Sequence, residues 1–180
     1  RETGIVAVTD CPQTPQDNQI FSKAIEYAAM FNLPVIEMPR DLSLSPEGQA
    51  HESLMSLKMG LKGIPRISEE MFVARSILLS KYSGAKIHLT SISSKGSIEQ
   101  IRKAKEEGIC VTCDVTSNHL FCNEDSIENF NSLAKAEPPF REEADREVLV
   151  GAVIDKTIDA VSTGHKAFSF NEKSKEFDLA

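Results

Sequence analysis

The sequence predicts a parallel α/β fold, and three observations carry that expectation. Ala85 to Leu120 spells one strand, helix, strand unit: Ala85 to Ile92 alternates apolar and polar residues, Ser97 to Glu107 carries Ile98 and Ile101 at helical spacing, Gly108 closes the helix, and Ile109 to Val115 is again β-branched and apolar. A crossover helix of that length joins parallel strands. Strand-like and helical patterns also alternate along the whole chain, with five strands in all.

Taken in order, Gly4 to Thr9 (GIVAVT) is the first strand, stopped at Pro12 after Asp10-Cys11. Asp17 caps a helix through about Phe31, with Ile20, Phe21, Ala24, Ile25, Ala28 and Phe31 forming the stripe expected to pack on a sheet. Leu33 to Met38 is the second strand. Pro39 to Pro65 reads as a loop with one or two helical turns before Gly60 and Gly63. Ser68-Glu69-Glu70-Met71 offers an N-cap and an acidic first turn to a helix that runs to about Tyr82 on Val73, Ile77 and Leu78 and ends at Ser83-Gly84. The central unit supplies strands three and four. A short helix is expected at Glu124 to Phe130, then a loop in which Pro138 holds Glu137 extended. Arg141 to Lys156 is the last full helix, with Val148, Leu149, Ala152 and Val153 inward; Ile158 to Thr163 is the fifth strand, and the Lys-, Ser- and Glu-rich remainder is an exposed loop. Periodicity does not choose between a barrel and an open doubly wound sheet. Polar residues past the strand ends, Ser91 to Ser94 and Ser117 to His119, fall where parallel α/β proteins build their sites.

With 180 residues and 41% apolar content, the chain is long enough for one domain spanning 1–180 with a real core. A formal net charge of −7 argues against nucleic-acid and anionic membrane partners, since both are polyanions usually met by a basic face; small anions and proteins stay open. No apolar run is long enough to span a bilayer, and Arg1-Glu2-Thr3-Gly4 is not a signal peptide, so a soluble, cytoplasmic protein is expected. Four cysteines in a domain of this size read as reduced thiols. No glycine-rich nucleotide-binding motif follows any strand.

Several spaced motifs, in one order, resemble a family. Ala85 to Leu120 is similar to a strand with H-x-x-H-[IV]-S-[ST], a helix ending in AK-x-x-G, and VT-x-EVT-P-H-H-L. Leu61 to Pro65 (LKGIP) with Glu69 and Ala74-Arg75 resembles GL-x-GIP followed by E-x-x-x-x-x-R; Lys135 to Arg141 (KAEPPFR) resembles KVNPPLR; Ile158 to His165, with Lys173 and Phe177, resembles IDxIATDHAPH followed by EK and a Phe. The family is the dihydroorotases, metal-dependent cyclic amidohydrolases of pyrimidine synthesis. The resemblance implies a (β/α) barrel of TIM type, of which this chain holds about the last five of eight strands. A five-strand wall leaves unpaired edges, so completion by an N-terminal barrel segment or by a partner chain is expected.

The departures from the family pattern bear on chemistry. Such enzymes hold one or two zinc ions on histidines and a carboxylate to acidify a water. The resemblance puts metal-ligand positions at Met38 and Ser91, and the metal-binding aspartate that also serves as base at Gly164. His88 matches the first histidine of the third strand, Asn118 replaces the first of the H-H pair, and His119 and His165 survive. The substrate-contacting positions at Glu137 and Phe168 are also changed. Glycine cannot act as a base. The resemblance therefore implies a non-catalytic companion of aspartate transcarbamoylase, oligomeric and with no cofactor. Arg141, His119 and His165 are its vestigial substrate-binding residues. The alternative is a zinc-dependent dihydroorotase or related cyclic amidohydrolase with an unusual metal site. A third reading is a module that binds small anions or pyrimidine precursors in a kept pocket, with Arg141 or Lys135 as counter-ions.

Taken without the resemblance, most of these residues have plain readings. His88 is a packed, hydrogen-bonded strand histidine, and His51 is a loop residue meeting solvent. Cys110 and Cys113 form C-x-x-C, but residues three apart in a strand face opposite ways and do not grip one metal. Cys11 and Cys122 are free packed or loop thiols. Asp10, Glu37, Asp41 and Asp114 stand on or just past strands; Asp114 is structural. Lys135 and Arg141 fit salt bridges as well as an anion.

Overall fold

The computed structural model describes residues 4–11 and 14–179; the expected stop at Pro12 and the segment Arg1 to Thr3 lie outside them. The chain runs β1 (Val8–Thr9), α1 (Asn18–Met30), β2 (Val35–Glu37), β3 (Ala50–His51), α2 (Leu54–Met59), β4 (Gly63–Ile64), α3 (Ile67–Ser83), β5 (Ile87–Leu89), α4 (Lys95–Glu106), β6 (Val111–Thr116) and α5 (Ser117–Phe121). Short 3-10 turns at Glu124–Phe130 and Ser132–Ala134 lead to α6 (Glu143–Ile154), β7 (Ala160–Ser162) and α7 (Phe170–Lys173).

Strands β1, β2, β5, β6 and β7 form one sheet in that order, every pairing parallel. Order in the sheet follows order in the chain, as in a barrel wall; a doubly wound sheet reverses direction at a switch point. The topology thus decides what periodicity left open: the five strands are part of a (β/α) barrel.

The register sorts residues by face. Val35, Ile87 and Val111 are aligned across three strands and buried, packing with Phe21, Ile25, Val73, Ile98, Ile101 and Leu149 from the helices. The intervening row, Ile36, His88 and Thr112, points the other way and is more open. Asp17 caps α1 by accepting from the amides of Gln19 and Ile20, and Ser94 caps α4 through Gly96. Gly84 and Gly108 close α3 and α4 in the left-handed conformation.

Several expectations need correction. The first strand pairs only at Val8 and Thr9, and Ile5 and Val6 before it are exposed. Of the α1 stripe, only Phe21, Ile25 and Ala28, on an i, i+4, i+7 track, are buried; Ile20, Ala24 and Phe31 look outward, as does Leu78 on α3. Helix α3 begins before Ser68, which is buried inside its first turn instead of capping it. The stretch read as a loop at 39–65 contains the parallel pair β3 and β4, joined by α2 with a Ser53 capping box. The C-terminal tail is not wholly an exposed loop: Phe177 is buried with Ala50 and Ile127 in a second apolar cluster. Among the described residues no helix is long and apolar enough to cross a membrane.

Candidate functional site

Past the C-terminal ends of the strands opens a cleft of about 830 Å³, bounded by Met38 after β2, Thr116 at the end of β6, and Thr163, Gly164 and His165 after β7. Its far wall comes from Lys135 to Glu137, Phe140, Phe168 and Lys173. This is the face on which barrel proteins place their chemistry.

His119 reaches the cleft from α5 but is only 3% exposed. Its Nε2 lies 3.1 Å from the carbonyl of Pro138, which can only accept, so Nε2 carries the proton and Nδ1 accepts from the Thr116 hydroxyl at 2.7 Å. Burial holds its pKa down to about 4, so the ring is neutral and both nitrogens are engaged. Gly164 has φ +57°, and a Cβ there would stand 2.8 Å from Thr116 Cγ2. His165 is exposed beside it. Ser91, also at positive φ, donates its amide to Asp114 Oδ1 at 3.1 Å, and Ser162 donates to the same oxygen at 2.8 Å. Asp114 Oδ2 meets His88 Nε2 at 3.0 Å, and His88 Nδ1 meets Thr112 Oγ1 at 2.8 Å. Burial raises the Asp114 pKa, but the hydrogen bonds, led by His88, outweigh it and hold the group at about 2. His88 and Asp114 are thus a hydrogen-bonded strand pair.

Arg141 is 3% exposed and belongs to a buried network under the cleft. It donates to the Ile64 carbonyl at 2.8 Å, Ser93 Oγ at 3.0 Å and His51 Nδ1 at 3.1 Å, with Glu69 at 3.7 Å. Glu69 accepts from the amides of Ser93 and Ser94 and from Ser97 Oγ at 2.7 Å. His51, expected in solvent, is 2% exposed in β3; the reason is that the 39–65 stretch folds back as a sheet pair over Arg141. Burial and the Arg141 charge push its pKa down to about 4.

Of the other acids, Glu37 faces the helices, bonded to Arg75 and Ser76, and burial raises its pKa to about 7. Arg75 stacks on Phe72 and Phe21 at 3.8 and 4.4 Å. Asp41 caps Ser43 in its loop. Among the described residues only His51, Glu142 and Asp145 bring three metal-type donors within 4.8 Å of one another. Arg66 occupies that group, with its Nε and NH2 on Asp145 at 2.7–3.1 Å and NH2 on Glu142 at 2.5 Å. Cys110, just ahead of β6, is exposed, and Cys113 within β6 is buried.

The family described as dihydro-orotase-like matches residues 1–97 of the sequence. This chain belongs to the dihydroorotase-like family. Over all 180 residues this dihydroorotase-like chain is 37% identical to a dihydroorotase of Caldanaerobacter subterraneus, and over 177 residues 38% identical to one of Acetivibrio thermocellus. It spans 42% of the length of each. In fold it is similar to a D-hydantoinase from Bacillus sp. AR9, with TM-score 0.81, 19% identity and coverage of 98% of this chain and 42% of that one. It also resembles a dihydroorotase from Campylobacter jejuni, with TM-score 0.64, 15% identity and coverage of 90% and 45%.

Among the described residues, the positions matched to metal ligands do not offer a zinc ion the donors of the resembled pattern. The three positions that the resemblance assigns to ligands hold a thioether, a hydroxyl already beside a left-handed backbone, and no side chain at all. His119 has both nitrogens committed, and the Asp114 carboxylate is filled by its own neighbours. Sequence reasoning missed Arg40, which sits at the cleft edge two residues past Met38 and ion-pairs with Glu137, and Lys166 beside His165. Their positions just beyond strand ends were the available signal.

Proposed function

We propose that the protein is a non-catalytic dihydroorotase-like subunit that acts as a scaffold or companion in pyrimidine synthesis, with aspartate transcarbamoylase as the partner implied by the resemblance. The observation that carries this reading is the state of position 164. The one residue on the cleft floor able to serve as base in the resembled pattern is a glycine, in a backbone conformation that has no room for a Cβ. Met38 and Ser91, at the matched ligand positions, support the same reading, because neither thioether nor hydroxyl replaces imidazole on zinc.

The test is metal analysis and dihydroorotate hydrolysis on the full-length protein, with and without aspartate transcarbamoylase, followed by sizing of the mixture. Metal-poor, inactive protein that co-elutes with the transferase is expected. Stoichiometric zinc with turnover would restore the alternative, a zinc-dependent cyclic amidohydrolase with an unusual site.

A further inference from the structure

Away from the cleft, between the first turn of α1, the body of α3 and the loop that follows β2, lies a separate hollow of about 230 Å³. It shares no lining residue with the cleft. Sites for drug-sized ligands run to roughly 300–1,000 Å³, so this one suits a smaller molecule, on the scale of a free amino acid.

Its walls are fixed before any ligand arrives. Gln16 Nε2 donates to the carbonyls of Thr14 at 2.9 Å and Arg40 at 3.0 Å, its Oε1 accepts from the Leu42 amide at 2.9 Å, and the Asp41 amide donates to the Ser68 carbonyl at 2.8 Å. The loop is thereby tied to the entry of α1 and to the first turn of α3.

The two polar walls carry opposite charge. On the loop side, Asp41 Oδ1 accepts from the Ser43 amide at 2.8 Å and the Ser43 hydroxyl at 2.6 Å, while Oδ2 has no hydrogen-bond partner and the carboxylate has no ion-pair partner among the described residues. On the helix side stands Arg75, whose side chain is 10% exposed. Its Nη1 donates to the Pro15 carbonyl at 2.8 Å and to Asn18 Oδ1 at 3.3 Å, its Nη2 donates to Glu37, and its Nε is buried without a partner. A guanidinium has five N–H donors, so one on Nη2 and that on Nε stay unused. The Asn18 amide nitrogen is also without a partner among the described residues. Burial raises the Glu37 pKa to about 7, so near neutral pH Glu37 cancels the guanidinium charge only in part. The Phe72 ring and the Met71 side chain supply the apolar lining.

We propose that this hollow binds a free α-amino acid with an apolar side chain, its ammonium on Asp41 Oδ2, its carboxylate on Arg75 and the Asn18 amide, and its side chain against Met71 and Phe72. A zwitterion offers a charge-assisted contact to each wall at once. A simple acid meets the Asp41 carboxylate unpaired, and a simple amine meets the guanidinium, so the same walls select against both. The site rests on no statement about chemistry at the cleft.

The experiment is calorimetric titration of the full-length protein with leucine, with isocaproate, which is leucine without its ammonium, and with isopentylamine, which is leucine without its carboxylate. Leucine is expected to bind at least tenfold more tightly than either. Asp41→Asn keeps an acceptor for Ser43 and removes the charge; it is expected to weaken leucine binding about tenfold, the usual scale for one charge-assisted contact, and not to weaken isocaproate binding. Asn18→Ala is expected to weaken leucine and isocaproate several-fold and to leave isopentylamine unchanged, and it carries the test if Asp41→Asn fails to fold. Lys166→Gln, in the cleft, is expected to change nothing. No binding of leucine, equal binding of all three probes, titrations indifferent to both pocket variants, or a loss of leucine binding on Lys166→Gln would overturn the proposal.

Discussion

Placing an aspartate at position 164 is the sharpest test of the proposal that this site has no base. Gly164 sits at φ +57°, where a residue with a Cβ pays about 1 kcal/mol, aspartate being among the better tolerated. The new Cβ meets Thr116 Cγ2 at 2.8 Å and Thr116 Cβ at 3.1 Å, so Thr116 must rotate or the β7 end must move. Thr116 is the hydroxyl that satisfies His119 Nδ1, and orphaning that buried nitrogen costs about 1–3 kcal/mol. Gly164→Asp is therefore expected to destabilise the protein by roughly 2–4 kcal/mol, a fall in Tm of about 4–16 °C for a domain of this size. The assay is thermal and urea unfolding, each with and without excess zinc, because a metal that binds only the native state raises its stability. A variant as stable as the parent, or one whose Tm climbs with zinc, would refute the argument that the cleft floor has been rebuilt around glycine.

Arg141→Gln is expected to cost about 3–5 kcal/mol in urea titrations, because it leaves the buried Glu69 without its guanidinium and the Ile64 carbonyl without its donor; a loss below about 1 kcal/mol would make Arg141 a ligand residue and not a structural one. Stability is expected to fall as pH drops from about 6.5 to about 4. The folded pKa values of His51 and His119 lie below the unfolded value, so their contribution is present above 6.5 and lost through about 4. Glu37, raised to about 7, has the opposite sign: its contribution is present below about 4.5 and is lost as pH rises through about 7. Glu37→Gln is accordingly expected to steepen the acid loss, and an unchanged profile between pH 4.5 and 6.5 would count against these assignments. In native thiol labelling read by mass spectrometry, Cys110 is expected to react, and Cys113, buried with its pKa pushed up to about 12, to stay unlabelled until unfolding; equal labelling would mean that Cys113 is not shielded by the fold.

How much was legible in advance depended on the range of the interactions. Asp17 as a cap, Gly108 as a stop and the 85–120 unit were readable because capping, left-handed glycine and hydrophobic period are local effects within one or two turns. The rejection of Cys110 and Cys113 as a metal pair followed from strand geometry alone. The strand pair at 50–64 and the burial of His51 were not legible: two-residue strands carry no period, and a histidine in a polar stretch looks solvated until a distant Arg141 packs over it. Ser68 shows the same limit, since a serine ahead of two acids reads as a cap even when the helix starts earlier.

By itself the sequence determined the alternation of strands and helices, the acidic surface and the identity of the side chains at the strand ends, including the missing carboxylate at 164. The tertiary structure decided the rest. Strand order chose the barrel wall, the backbone at Gly164 showed that a side chain there would crowd Thr116, and the fold brought Arg40, Lys135, Lys166 and Lys173 from three separate stretches to one cleft. Charge is written residue by residue, but the field in a cleft is a sum over groups far apart in the chain, and only folding fixes which of them share it.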